Sequence, residues 1–273
     1  MKLELKKFDI THIKSDSVVV LIGKRNTGKS FLVKDLLYYH TDLPIGTVVS
    51  ATESANRFYG DFIPNAFIHE EVDPQLVQNV ITRQKLVMKK LNKEKKLYGT
   101  SRIDPRSFII LDDCLYDGSW AKDKNIRSIF MNGRHLKLFF IITMQYPLGI
   151  PPNLRTNIDY VFILRENIVG NRKRIYDNYA GMFPSFEVFC QVMDQCTENY
   201  ECLVINNTTS SNKLEDCVFW YKANPHEEYQ IGSKQFWVNN EIDDDADNSD
   251  EDFNPEMFKS KRNATKINVK KFT

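Results

Sequence analysis

The sequence predicts an α/β fold in which a mostly parallel sheet carries helices on both faces. Short segments that are apolar at nearly every position recur along its 273 residues, as expected for strands buried on both faces. Segments with helical periodicity alternate with them, which favours right-handed strand–helix–strand crossovers. A glycine-rich loop joins the first strand to the first helix, and this is the arrangement of a phosphate-binding loop.

The strand pattern begins with the β-branched run Ser17–Ile22, which ends at Gly23. Ser107–Leu111 and Lys137–Thr143 have the same continuous apolar character. The predicted strands are Ser17–Ile22, Gly46–Ser50, Ala66–His69, Ser107–Leu111, Lys137–Thr143, Tyr160–Leu164, Glu201–Ile205 and Cys217–Tyr221.

Four segments have helical character. Ser30–Tyr39 repeats apolar residues at three-to-four spacing, and a long helix follows the N-cap and proline pair Asp73-Pro74 and ends at Gly99. Asn171–Tyr179 and Ser185–Gln195 complete the set.

Composition divides the chain into a P-loop domain, residues 1–239, and a charged tail, residues 240–273, that we expect to be disordered. The tail runs from an acidic block to a basic one, while the formal net charge of the whole chain is only +1. With 42% apolar and 27% charged residues, the sequence excludes a fibrous repeat or a disulfide-dense miniprotein. Its five cysteines include no C-x-x-C pair, which favours reduced thiols. No apolar run approaches the roughly 20 residues of an integral membrane segment.

The loop after the first strand matches G-x-x-x-x-G-K-S at every fixed position. Its glycines let successive backbone N–H groups point at phosphate oxygens, and the helix N-terminus adds partial positive charge. Lys29 would contact the β- and γ-phosphates of ATP, and the Ser30 hydroxyl would bind Mg²⁺. Lys24 and Arg25 occupy unrestricted positions, so we expect their side chains to face solvent. The candidate nucleotide-binding residues are Gly23, Lys24, Arg25, Asn26, Thr27, Gly28, Lys29 and Ser30.

Hydrolysis also needs carboxylates, and Asp112-Asp113 directly follows an apolar strand. Because ligands of α/β sheets bind at the carboxyl ends of the strands, we expect Asp112 to hold Mg²⁺ and Asp113 to orient or deprotonate the attacking water. The alternative is a pair of acids that caps the next helix. Glu70-Glu71 is a weaker rival, because its strand is shorter and is interrupted by His69.

Three further polar residues are candidates for the γ-phosphate. Gln145 follows the strand segment Ile141–Met144 and would sense that phosphate, or would only cap the loop before Pro147. Arg134 and Arg155 could each neutralise phosphate charge, and either could do so from a neighbouring subunit. Each could instead be a partner in a surface ion pair.

Taken together, these residues resemble the DNA-packaging ATPases of large nucleo-cytoplasmic DNA viruses, of the poxvirus type, within the FtsK–HerA division of P-loop motors. The resemblance extends from the Gly23 loop to about Tyr221 and includes the P-loop and Leu111–Asp113. It also rests on the segments Thr52–Tyr59, Phe62–Pro64, Asn132–His135, Thr143–Gln145 and Leu154–Phe162.

The resemblance implies a RecA-like sheet in which the strand of Gln145 lies between the strands that precede Gly23 and Asp112. It implies a homo-oligomeric ring around double-stranded DNA, a capsid or portal-like partner, and a location in the virion or the cytoplasmic virus factory. It favours Arg134 over Arg155 as the arginine supplied in trans. Two other functions remain open at this stage: a P-loop kinase with an arginine-rich lid at Asn171–Arg174, and a nucleotide-dependent assembly factor that does not hydrolyse ATP.

Overall fold

The computed structural model describes residues 3–114, 118–147 and 149–238, and the predicted tail at 240–273 lies outside them. Within this part of the chain, eight strands form one sheet in the order β3-β2-β4-β5-β1-β6-β7-β8. The pairs from β3 to β6 are parallel. Strands β7 and β8 are antiparallel and extend the sheet beside β6. The prediction of an α/β fold with a mostly parallel sheet is confirmed.

All eight predicted strands are present, with ends that differ from the prediction by at most two residues. The largest shift is in β3, whose first two predicted residues form a 3-10 turn instead. The strands are β1 (Val18–Ile22), β2 (Gly46–Ser50), β3 (Ile68–His69), β4 (Ser107–Asp112), β5 (Leu138–Met144), β6 (Tyr160–Ile163), β7 (Glu201–Asn206) and β8 (Val218–Lys222).

The four predicted helices are also present, and the described residues contain further, shorter helices that were not predicted. The longest of these is α4, which Asp123 caps by accepting hydrogen bonds from the N–H groups of Asn125 and Ile126. The helices are α1 (Lys29–Tyr38), α2 (Glu53–Asn56), α3 (Pro74–Tyr98), α4 (Lys124–Asn132), α5 (Pro152–Arg155), α6 (Val169–Tyr179), α7 (Phe186–Cys196) and α8 (Leu214–Cys217). No helix in the described ranges combines the length and apolarity needed to cross a bilayer.

Two hydrophobic cores, one on each face of the sheet, explain why its central strands are apolar at every position. Successive side chains of a strand point to opposite faces. In β1, Val18 and Val20 belong to the core that includes α3, α4 and α7, whereas Val19 and Leu21 belong to the core that includes α1. All five residues of β1 are buried.

The strand order places β5 between β1 and β4, as the family resemblance implies. The register aligns Ile22 of β1 with Met144 of β5, and Asp112 of β4 with Thr143 of β5. The carboxyl ends of the three strands therefore meet at one edge of the sheet, and the loop that follows β1 begins beside the residues that follow β4 and β5.

The chain after β8 returns across α1 and holds this helix in place through Asp35, which is fully buried. The Tyr221 hydroxyl donates to Asp35 Oδ2 at 2.7 Å, and His226 Nε2 lies 2.5 Å from Asp35 Oδ1. A buried carboxylate is tolerated only when such partners replace its hydration. Tyr229 adds a hydrogen bond to the Lys34 carbonyl at 2.6 Å.

His40, just after α1, makes the stability of the fold depend on pH. Burial against Phe139 lowers the pKa of His40 from 6.5 to about 4. The folded chain therefore keeps this ring neutral while the unfolded chain protonates it, so stability is lost as the pH falls from 6.5 towards 4. Between about pH 7.5 and about pH 4.5, we expect His40 to contribute about 2 kcal/mol to that loss.

Urea denaturation of the wild-type protein and of His40→Leu at the two pH values measures this contribution. The variant should lose less free energy of unfolding on acidification, because leucine does not titrate and the carboxylates are common to both proteins. Equal losses in the two proteins would contradict the assignment.

Candidate nucleotide site

The loop between β1 and α1 is folded around the side chain of Lys29. Lys29 Nζ donates to the carbonyl oxygens of Gly23 at 2.7 Å and of Lys24 at 3.0 Å. Asn26 and Gly28 adopt left-handed backbone conformations, with φ of 61° and 96°, which turn the chain sharply at the start of the helix. At Gly23 a Cβ would lie 2.7 Å from Thr27 Oγ1, so a side chain there would collide with the loop.

Lys29 is the positive charge at the centre of this site, and it is only 8% exposed. Burial lowers the pKa of the Lys29 ammonium, and the negative charges of Asp113 and Asp112 counteract that effect. The strand order β4-β5-β1, with the Gly23 N–H donating to the Met144 carbonyl at 3.0 Å, places the glycine-rich loop and the two aspartates, predicted separately, at the same ends of the strands. The site therefore combines a buried cation with two carboxylates at one edge of the sheet.

Thr143, the residue of β5 opposite Asp112, connects the two aspartates. Its hydroxyl donates to Asp112 Oδ1 at 2.6 Å and accepts from the Asp113 N–H at 2.9 Å. Thr143 is completely buried, so these bonds hold the carboxylate of Asp112 in one orientation. In the sequence, Thr143 was notable only as part of the segment Thr143–Gln145 on which the family resemblance rests, and no role was predicted for it.

Tyr59 and Glu53 form the wall of the site beside Asp112, and sequence reasoning missed them too. Burial raises the pKa of the Asp112 carboxyl, while Thr143 and the nearby Tyr59 hydroxyl lower it in part. The Tyr59 hydroxyl is fully buried and makes no hydrogen bond of ordinary geometry. Glu53 fixes the backbone of this segment by accepting from the Tyr59 N–H at 3.0 Å and the Gly60 N–H at 2.7 Å. Both residues lie in the segment Thr52–Gly60, where their type alone does not distinguish them from surface residues.

Asp113 and Gln145, predicted for different tasks, are direct partners. The Gln145 side-chain amide donates to Asp113 Oδ2. Asp113 has a left-handed φ of 52°, which ends β4 and leaves its carboxylate exposed above the sheet edge. A group that contacts Gln145 would therefore also influence the orientation of Asp113.

The predicted magnesium ligands have the appropriate donor chemistry. Ser30 offers a hydroxyl oxygen and Asp112 a carboxylate oxygen, and such hard donors suit Mg²⁺. The Ser30 hydroxyl makes no hydrogen bond to another side chain or carbonyl among the described residues, so it is available to a ligand. Mg²⁺ in nucleotide sites takes few protein ligands and completes its shell with phosphate oxygens and water, which agrees with a set of two.

The expectation that Lys24 faces solvent is only partly right. Its ammonium lies 2.8 Å from Glu166 Oε1 and donates to Asn167 Oδ1 at 2.7 Å. Glu166 follows β6, which neighbours β1, so the tertiary pairing brings the two residues together. Arg25 is exposed as expected, and Glu71 of the rival acid pair is exposed beside the short outer strand β3.

The two candidate arginines lie away from the phosphate loop of their own chain. Arg134 Nη2 contacts Asp159 Oδ1 at 2.6 Å, and Asp159 Oδ2 accepts from the N–H of Val18 at 2.8 Å. Val18 is the first residue of β1, and the phosphate loop follows the last residue of that strand. Arg134 therefore lies at the amino ends of the parallel strands, whereas the loop lies at their carboxyl ends. Arg155 donates to Asn178 and lies 5.7 Å from the ring of Tyr179, at the end of α6.

The fold and this site define a P-loop NTPase with a RecA-like sheet. No protein-family model matches the chain. The sequence is 42% identical over 236 residues to the protein L437 of Acanthamoeba polyphaga mimivirus, covering 86% of this chain and 82% of that protein. It is 40% identical over 221 residues to the protein 088R of Invertebrate iridescent virus 3, covering 81% of this chain and 80% of that protein. The chain belongs to this family of proteins from large DNA viruses.

The fold is also similar to a solved structure. The genome packaging NTPase B204 of Sulfolobus turreted icosahedral virus 2, in complex with AMPPCP, matches with a TM-score of 0.55 and 17% identity, over 78% of this chain and 100% of that one. The resemblance to viral packaging ATPases noted from the sequence is thus confirmed at the level of fold and of viral family. At this identity, the match concerns the fold.

Proposed function

We propose that this protein is an ATP-hydrolysing translocase that packages viral double-stranded DNA into the capsid. The observation that carries the proposal is the convergence of Lys29, Asp112, Asp113 and Gln145 at the carboxyl edge of one sheet. The likeness to the packaging NTPase B204 supports the assignment of that convergence to genome packaging.

The residues of the site divide the hydrolytic step among them. The loop amides and Lys29 would bind the phosphates of ATP, and Ser30 and Asp112 would hold Mg²⁺. When bound, Mg²⁺ neutralises charge on the β- and γ-phosphates. Asp113 orients a water whose oxygen attacks the γ-phosphorus as the bond to the β-phosphate oxygen breaks, and accepts the proton that the water releases. Gln145, which donates to Asp113, would couple the presence of the γ-phosphate to the position of this base.

A homo-oligomeric ring would complete the site with an arginine from the neighbouring subunit. Arg134 is the preferred candidate, because its side chain is 65% exposed and lies at the sheet edge opposite the loop. A cation supplied in trans stabilises the charge of the transition state in this chemistry. We place the ring on duplex DNA, docked on a capsid or portal-like component, in the virion or the cytoplasmic virus factory.

Among the described residues, the segment suggested as the lid of a P-loop kinase does not have the form of a lid. The proposed lid, Asn171–Arg174, is the first half of α6 and not a loop. Arg172 donates to the Glu166 carbonyl at 2.5 Å and to Asp194 at 2.7 Å, so it is held in place within the domain.

Mixing two inactive variants tests the ring and the trans arginine together. Lys29→Ala has a defective phosphate loop but an intact Arg134, and Arg134→Ala has the reverse. Mixed rings contain interfaces with an intact loop facing an intact arginine, so we expect partial recovery of DNA-stimulated ATPase activity. Arg155→Ala in place of Arg134→Ala is the matched control, and we expect it to be active alone. No recovery on mixing, or turnover by a monomer indifferent to duplex DNA, would contradict the proposal.

A further inference from the structure

A cavity of about 400 Å³ opens beside the phosphate loop, on the side away from the aspartates. Gly28 and Phe31 border it from the loop and the first turn of α1. Leu164, Tyr200 and Pro225 border it from the side of strands β6, β7 and β8. Its lining is almost entirely apolar, and its size is in the range of small-molecule sites.

The antiparallel strands β7 and β8 build the far wall of this cavity. Because β7 runs opposite to β6, its first residue lies at the edge where β6 ends, which is the edge of the phosphate loop. Tyr200 directly precedes β7, and a Cβ placed on Gly28 would lie 3.4 Å from Tyr200 Cδ1. Lys222 pairs with Glu201 at the end of β8, which brings Pro225 to the same place.

The direction of a bound nucleotide follows from the two sides of the loop. The charged side, with Lys29 and Asp113, lies towards β5 and β4 and suits the terminal phosphate. The cavity lies towards β6 and β7, where Leu164 donates its N–H to the Ile22 carbonyl at 2.8 Å. A nucleotide with its γ-phosphate beside Asp113 would therefore extend its nucleoside into the cavity.

We propose that this cavity binds the base of the nucleoside triphosphate, with Tyr200 as the stacking partner. The inference rests on the proposed nucleotide site and adds its base specificity. Tyr200 is 69% exposed and its ring is next to Gly28, so a base in the cavity would cover it. Stacking uses the face that every base presents, whereas discrimination between bases needs hydrogen-bonding groups, of which this lining has few. Tyr200 therefore supplies affinity for ATP and GTP alike.

Calorimetric titration of the full chain with ATP, GTP and inorganic tripolyphosphate tests the proposal. Tyr200→Ala should weaken the binding of ATP and of GTP about tenfold, in the range found for loss of one stacked base. Tripolyphosphate should bind the variant as it binds the wild type, because it uses only the loop. Tyr200→Phe, which keeps the ring, should bind all three ligands like the wild type. Since the side chain is exposed, the substitution leaves both hydrophobic cores intact.

Three results would overturn the proposal: unchanged ATP affinity in Tyr200→Ala, an equal loss of tripolyphosphate affinity, or a wild-type preference for one of the two bases of about thirtyfold or more. The last would require hydrogen-bond recognition. Failure of the translocase function is separate, because it would appear as absent hydrolysis or DNA stimulation and would leave these binding comparisons unaffected.

Discussion

Replacing Lys29 by alanine is expected to reduce the ATPase rate by about 10²–10³-fold, the range for loss of one group that stabilises transition-state charge. The ammonium of Lys29 is buried, is held by two carbonyls of the loop, and faces Asp112 and Asp113. Few other cations are available within the loop, because Lys24 is paired with Glu166. Steady-state phosphate release measures the change.

Arg25→Ala is the matched control for this prediction. Arg25 is a cation of the same loop, but its side chain is exposed. We expect its replacement to change the rate by no more than about threefold, since exposed charges interact weakly. If both variants lost activity equally, general positive charge near the loop, and not the position of Lys29, would be responsible. Thermal unfolding of both proteins verifies that they are folded.

Replacing Asp113 by asparagine is expected to slow ATP hydrolysis strongly while ATP binding is retained. Asparagine has nearly the same shape, and its carbonyl oxygen can still accept from Gln145, but it cannot take a proton from water. General-base catalysis contributes about 10²–10⁴-fold, so turnover should fall by that amount, with ATP affinity within about threefold of the wild type. Single-turnover hydrolysis and equilibrium binding measure the two effects separately.

The same variant distinguishes a motor from an assembly factor. A motor with Asp113→Asn should neither move DNA nor package it, because each step consumes ATP. Packaging that survives the loss of hydrolysis would favour the assembly factor. Asp61→Asn, at an exposed aspartate after α2, is the control and should leave hydrolysis unchanged. Hydrolysis at the wild-type rate in Asp113→Asn would exclude Asp113 as the base.

Local patterns were sufficient to predict most of the elements. The apolar runs are long and bounded by glycine or polar residues, and two hydrophobic cores bury both faces of the strands that they form. Helix α4 was missed because its nine residues are fewer than the roughly 11–18 over which helical periodicity is recognised, although Ile126, Ile129 and Phe130 have helical spacing and are buried. The phosphate loop was recognisable because its glycines and Lys29 have fixed spacing over eight residues, and the geometry of backbone and phosphate imposes that spacing.

Residues whose roles depend on distant partners could not be recognised in this way. Thr143 is one threonine among many until the register of β4 and β5 places its hydroxyl against Asp112. Lys24 looked like a solvent-facing residue because Glu166 is far from it in sequence. Similarly, Arg134 precedes a central strand, and only the tertiary structure shows that its partner is Asp159, which precedes β6.

The order of residues along the chain was enough to predict the strands, the four longest helices, the phosphate loop and the acids after β4, because each pattern is local. Strand pairing decided which of these segments lie together at the carboxyl ends of the strands. It also decided which side of the phosphate loop faces the cavity that we propose for the base. The reversal of β7 against β6 places Tyr200 beside Gly28, 172 residues away in the chain. Such contacts arise from burial and hydrogen bonding between whole strands, which no short stretch of sequence encodes.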